Sequence, residues 1–130
     1  MRENKVVLVI DDVKSVLQLI RAALIDHPVD VLTAVDGGSG LALAQEITPD
    51  LVLLDLALPV MDGWEILAAL RADPATRNVP VVIVTAHGDS DTASRARELG
   101  ADGFIAKPFR PAELRRIIEG CLHGPTAAAS

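Results

Sequence analysis

Asp11, Asp12, Asp55, Thr85 and Lys107 each stand at the end of a short apolar run, and together they suit a phosphoryl group beside a divalent cation. The two aspartates follow Val6-Val7-Leu8-Val9-Ile10, and Asp55 ends Leu51-Val52-Leu53-Leu54. Thr85 ends Val81-Val82-Ile83-Val84, and Lys107-Pro108 follows Phe104-Ile105-Ala106. Short apolar runs separated by helical stretches read as strands of a parallel sheet buried on both faces. In such a sheet the carboxyl ends of the strands share one edge, where ligands bind. Three carboxylates, a hydroxyl and an ammonium therefore converge on one cleft. Magnesium takes oxygen ligands of this kind, and a carboxylate can be the nucleophile that forms an aspartyl phosphate. Phosphoryl transfer asks mostly for positioning and charge neutralisation.

Each residue also has a plainer role open to it. Asp11 and Asp12 would serve as caps of the following helix, and Asp55 could accept backbone hydrogen bonds at a turn. Lys107 could be a surface lysine before a proline, and threonine is common in strands. The shared edge changes the weighing. Adjacent aspartates repel, a third carboxylate raises the cost, and a bound hard cation removes it.

The elements that must position these residues follow from periodicity. Val13, Val16, Leu17, Ile20 and Leu24 fall at helical spacing, and the helix should stop by Pro28. Val29, Val31, Thr33 and Val35 alternate with polar neighbours, as in a strand at a sheet edge. Asp36-Gly37-Gly38 reads as a turn before a second helix through Leu41, Ala44 and Ile47 that ends near Pro49. Asp62 is placed to cap a third helix carrying Ile66, Leu67 and Leu70. A weakly amphipathic fourth helix spans roughly Ser90 to Leu99, anchored by Ala93, Ala96 and Leu99 and ended by Gly100. The last helix carries Leu114, Ile117, Ile118 and Cys121 on one face. Five strands alternating with five helices predict an α/β fold with right-handed crossovers and helices on both sheet faces. From Gly124 the sequence reads as a flexible tail or linker stub.

Composition narrows the function further. A chain of 130 residues, half of them hydrophobic, has the size of one folded domain. Its net charge of −6 argues against non-specific nucleic-acid binding. Cys121 is the lone cysteine, so no intrachain disulfide forms and a reducing cytosol is the simplest compartment. The first residues run straight into an apolar strand and read neither as a signal peptide nor as a membrane span.

The chain resembles the receiver domains of two-component response regulators from about Lys5 to Leu122, with a tail over 123–130. The resemblance is carried by Asp11-Asp12, by Leu54-Asp55 through Leu58-Pro59-Val60-Met61-Asp62-Gly63, by Thr85-Ala86, and by Gly100-Ala101-Asp102 leading to Lys107-Pro108-Phe109. It implies a doubly wound, flavodoxin-like sheet in the order 2-1-3-4-5. It further implies that Asp55 is the phosphoacceptor and that Asp11, Asp12 and Asp55 bind magnesium with the Ala57 backbone carbonyl. By the same resemblance, Thr85 and Lys107 contact the phosphoryl group, Thr85 and Phe104 form the switch, and Ala57 and His87 tune the lifetime of the phosphate. The implied partners are a sensor histidine kinase or histidine phosphotransfer protein and a downstream effector protein or domain. A phosphorylation-dependent dimer is a further possibility, with no direct nucleic-acid or membrane contact. Such a domain catalyses its own phosphorylation and dephosphorylation without being a conventional enzyme. The implied output surface is the fourth helix, fifth strand and fifth helix, roughly Ser90 to Leu122. Phe104 stands where many members have tyrosine, so a phenolic hydroxyl plays no part here. His27 and His123 read as surface residues near helix ends, and Trp64 as a packed helix residue.

Two other readings fit parts of the pattern. A magnesium-dependent aspartyl phosphatase shares the strand-end nucleophile but resembles this chain less, because Ala57 stands where that class places a second acid. A receiver-like binding module that is never phosphorylated would not need the acidic set. A nucleotide switch would need a Gly-rich phosphate loop, which this sequence lacks. A flavodoxin-like carrier would share only the fold.

Overall fold

A computed structural model describes residues 4–129, with side chains described as far as Leu122. The elements in chain order are β1 (Lys5–Ile10), α1 (Lys14–Ala23), β2 (Val29–Ala34), α2 (Gly37–Ile47), β3 (Leu51–Leu54), α3 (Gly63–Ala72), β4 (Val81–Thr85), α4 (Ser90–Glu98), β5 (Gly103–Ala106) and α5 (Pro111–Ala129). All strand pairs are parallel and the order is β2-β1-β3-β4-β5, as the family resemblance implies.

Strand alternation divides the core in two. Val7, Val9, Leu51, Leu53, Val82, Val84 and Ile105 face α1 and α5, where they meet Leu17, Ile20, Leu24, Leu114 and Ile118. Leu8, Ile10, Val52, Leu54, Val81 and Ile83 face the opposite layer of α2, α3 and α4, meeting Ala44, Ile66, Leu67, Leu70 and Ala96. Side chains on successive strand residues point to opposite faces. A continuous apolar run therefore feeds both layers at once. Burying one such leucine or isoleucine contributes about 1.5–3 kcal/mol.

Local chemistry sets the helix ends. Asp62 and Glu65 form a reciprocal capping box at the start of α3, and Asp36 and Asp89 cap α2 and α4 through the Ser39 and Thr92 amides. The expected turn at Asp36-Gly37-Gly38 is corrected: Asp36 is the cap and Gly37 already belongs to α2. Glycine is used there because the helix start lies tight against the Met61 carbonyl and Ile66. The anchors of α4 also need correction. Of its residues only Ala96 is buried, and Leu99 is exposed just beyond its end. His27 is half-buried rather than superficial, and its Nε2 meets Glu119 Oε1 of α5 at 3.3 Å. His123 lies outside the described side chains, as does most of what bears on the expected tail over 123–130; the helical backbone of α5 continues to Ala129. Among the described residues no helix is long and apolar enough to cross a membrane.

Candidate functional site

Strand register delivers the site residues. Ile10 pairs with Leu54, Leu54 with Ile83, and Thr85 with Ala106, so β1, β3, β4 and β5 end on a common edge. The ladder runs one residue further. The Asp55 amide donates to the Ile10 carbonyl at 3.0 Å, and the Lys107 amide to the Thr85 carbonyl at 2.8 Å. Asp55 and Lys107 are thereby fixed by backbone bonds before their side chains do anything.

Those side chains then meet. Lys107 Nζ donates to Asp11 Oδ2 at 2.8 Å and to Asp55 Oδ2 at 3.1 Å. Asp11 and Asp55 are buried, with relative exposures of 2% and 4%. Asp12 is exposed at the mouth, and one carboxylate oxygen each from Asp11, Asp12 and Asp55 lies within 4.8 Å of the others. The remaining oxygens are occupied locally: Asp11 Oδ1 accepts from the Val13 amide and Asp55 Oδ1 from the Ala57 amide. Asp11 thus holds the backbone where α1 begins, but neither Asp11 nor Asp12 caps the helix: its N-cap is Val13, with no side-chain cap.

The electrostatics are lopsided. Burial pushes the Asp11 carboxyl above its ordinary value, more than the hydrogen bond and charge of Lys107 pull it down. Burial acts to lower the pKa of Lys107, but its hydrogen bond to Asp11 and the charges of Asp11 and Asp55 outweigh it, and its pKa is raised. One ammonium is shared between two buried carboxylates, and a third carboxylate adjoins them. The cluster carries negative charge that Lys107 alone does not balance.

Thr85 is fully buried, and its Oγ1 accepts from the His87 amide at 3.2 Å. Phe104 is half-buried on β5, beside a cavity of about 80 Å³ between α4 and β5 lined by Ala93, Ala96 and Ala101. Ala57 and His87 are both exposed and line one groove of about 600 Å³ with Trp64 and Arg95. Asp11, Asp12, Asp55 and Lys107 meet at the sheet edge, Thr85 ends β4 on that edge, Ala57 and His87 line the groove of the rim, and Phe104 lies apart within β5. Sequence reasoning missed what supports them. Arg71 of α3 donates to the carbonyls of Arg77, Val79 and Gly100 and to the Asp102 carboxylate, and Arg95 stacks over Trp64 with its guanidinium 4.2 Å from the ring centroid. An arginine in the last turn of a helix gives no such signal by periodicity; Trp64 and Arg95 lie on different helices, so no spacing rule pairs them.

Fold and site together define a flavodoxin-like α/β domain with an acidic, lysine-bridged cleft at the carboxyl edge of its sheet. The chain belongs to the response regulator receiver domain family, whose profile matches residues 7–119. It is 39% identical over 103 residues to the response regulator PleD of Caulobacter vibrioides, covering 79% of this chain and 23% of that protein. Among solved structures it resembles the chemotaxis protein CheY4 of Vibrio cholerae, with a TM-score of 0.85, 31% identity and coverage of 92% of this chain and 99% of that one. The receiver domain of the sensor histidine kinase PA1611 from Pseudomonas aeruginosa, solved with a magnesium ion coordinated in its active-site cleft, superposes with a TM-score of 0.84 at 28% identity, covering 93% of this chain and 99% of that one. The chain spans from 23% to 52% of the length of the curated relatives it matches. It is a receiver domain of two-component systems, a phosphorylation-activated signalling switch rather than a conventional enzyme.

Proposed function

We propose that Asp55 accepts a phosphoryl group from a phosphohistidine of a sensor histidine kinase or histidine phosphotransfer protein, or from a small acyl phosphate. The observation that carries this reading is the Lys107 ammonium held between Asp11 and Asp55 at the edge of the sheet. An Asp55 carboxylate oxygen attacks phosphorus, an O–P bond forms, and the P–N bond to the donor imidazole breaks with its pair left on nitrogen. Lys107 shifts from the carboxylate toward the phosphoryl oxygens as a compact charge, and the Thr85 hydroxyl donates to another. Water later attacks phosphorus, the O–P bond breaks, and inorganic phosphate leaves with the Asp55 carboxylate restored. The residues themselves catalyse both steps.

The donor set fits magnesium, because three carboxylates offer hard oxygens within a single ion's reach and carry uncompensated charge. Asp11, Asp12 and Asp55 with the Ala57 carbonyl would hold it, and when bound it supplies neutralisation of the phosphoryl charge. Phosphorylation adds about −1.5 to −2 charges and strong acceptor oxygens. Turning Thr85 toward them frees its contact with the His87 amide, and Phe104 moves inward beside the cavity it borders. The surface over Ser90 to Leu122 then changes and controls an effector protein or output domain, or a phosphorylation-dependent dimer. The receiver unit is residues 5–122, with 123–130 a tail or linker, and it works in the cytoplasm without direct contact to nucleic acid or membrane.

Intact-mass analysis after acetyl phosphate treatment with magnesium tests the assignment. One phosphate adduct is expected on the native chain and none on Asp55→Asn. An equal adduct on that variant would overturn it.

A further inference from the structure

Building on the phosphoacceptor role of Asp55, we propose that Trp64 and Arg95 are positioning residues that couple Asp55 to α4 through α3, in parallel with the Thr85–Phe104 route. The loop between β3 and α3 folds back on the phosphoacceptor at both ends. The Ala57 amide donates to Asp55 Oδ1 at 3.1 Å, and the Gly63 amide to the Leu56 carbonyl at 3.0 Å. A β-carbon at Gly63 would collide with the Asp55 carbonyl oxygen and the Leu56 α-carbon. The first turn of α3 therefore rests on the backbone of Asp55 itself. Bonding phosphorus to the Asp55 carboxylate alters the acceptor that the Ala57 amide sees, and the loop must re-form around it.

Trp64 is the next residue after Gly63, and its ring carries the Arg95 guanidinium at 4.2 Å. Cations are attracted to the face of an indole. At the other end of α3, Arg71 Nε and Nη2 donate to the Gly100 carbonyl at 2.9 and 2.7 Å, just past the end of α4. Gly100 has a φ of 103° and lies flat against the Arg71 side chain, so this end is clamped. Helix α4 buries only Ala96 of its own residues. Besides its packing on β5 and the buried Ala96, it has two ties to α3, Arg95 on Trp64 and Arg71 on Gly100, and in the proposed coupling the first slides while the second holds. Displacement of Trp64 by the Asp55 loop swings the middle of α4 about Gly100. An element with few buried contacts responds to such a small bias.

The test compares amide NMR shifts on adding beryllofluoride with magnesium to the native chain, Thr85→Ala, Arg95→Gln and the double variant. Thr85→Val is the shape-conserving second choice at the buried position. In the Thr85 variant the β5 shifts should be lost, while about half of the shifts over Ala93–Leu99 persist, the behaviour of two routes acting side by side. The double variant should lose them. Arg95→Lys, which keeps the cation, should restore them, a rescue that a merely structural role would not show. Trp64 is the only tryptophan, so its emission should change on adduct formation in the Thr85 variant as well. Loss of all α4 shifts in Thr85→Ala alone overturns the coupling, and so does their survival in the double variant. Failure of the native chain to bind beryllofluoride would show as absent shifts around Asp55 itself, and would overturn the phosphoacceptor reading and the coupling with it.

Discussion

Gly63 sets its bare α-carbon against the Asp55 carbonyl, so the helix that begins at Gly63 and the strand that ends before Asp55 share one tightly packed contact. A methyl group there has no space to enter, because what it meets is backbone. Gly63→Ala should destabilise the fold by about 1–3 kcal/mol, as overpacking of a close contact does, and should slow phosphorylation of Asp55 by acetyl phosphate. Urea unfolding and adduct mass measured together check this. Native stability with native kinetics in that variant would show that the contact relaxes freely.

The Asp11 carboxyl is raised above its ordinary value, chiefly by burial and against the pull of Lys107. An acid with a raised folded-state pKa is penalised when charged. The penalty is absent below its unfolded value of 3.8, grows as pH climbs from there through the raised pKa, and is full at neutral pH. Asp11→Asn should therefore raise the Tm of the metal-free protein at pH 7. The gain should shrink toward pH 4. Thermal melts of both proteins in chelator across that range read it directly, and a gain that grows on acidification would contradict the burial argument.

Asp12 is the exposed member of the carboxylate trio, so it is the residue whose removal least disturbs the buried pair. Magnesium titration followed by Trp64 emission should saturate in the native chain. In Asp12→Ala the apparent Kd should rise by tenfold or more, since about 1.4 kcal/mol of ligand interaction corresponds to a factor of ten. Unchanged affinity would remove Asp12 from the site.

The parts that could be read from the sequence are those with a periodic or strand-end signature. Both-face burial made Val6–Ile10, Leu51–Leu54 and Val81–Val84 continuous apolar runs, which marked them as central strands and placed Asp11, Asp55 and Thr85 on one edge. Asp62 announced a capped helix in the same way, and the structure adds Glu65 as its reciprocal partner. What escaped was set by contacts across the chain. Gly37 looked like a turn because its helix is dictated by the closeness of Met61 and Ile66, not by propensity. Leu99 looked like an anchor because helical spacing carried it past the point where α4 ends. Val60 holds a φ of 64° with its side chain fully exposed, a conformation no rule for β-branched residues would assign. Arg71 and the Arg95–Trp64 stack depend on which helices become neighbours, which only the folded layers decide.

Ala57 and His87 line the same groove from opposite loops, and in the proposed role they flank the way in to Asp55 from the solvent. Ala57 presents only a methyl group, and its amide is held by the Asp55 carboxylate; His87 is exposed, and its amide is held by the Thr85 hydroxyl. Both backbones are therefore fixed by the site, while both side chains are free to be exchanged without touching it. In that role an attacking water passes between them to reach phosphorus on the side opposite the Asp55 oxygen. With so small a residue at Ala57 that passage is open, and the native phosphate should be short-lived. Ala57→Met combined with His87→Tyr narrows the passage with no added charge. The double variant should lose its phosphate several-fold more slowly, up to about tenfold if the crowding adds about 1.4 kcal/mol to the barrier. Mass measurements of the adduct at intervals after removal of acetyl phosphate give the decay. An identical half-life in the double variant would mean that water reaches Asp55 by another path and that these side chains do not gate it.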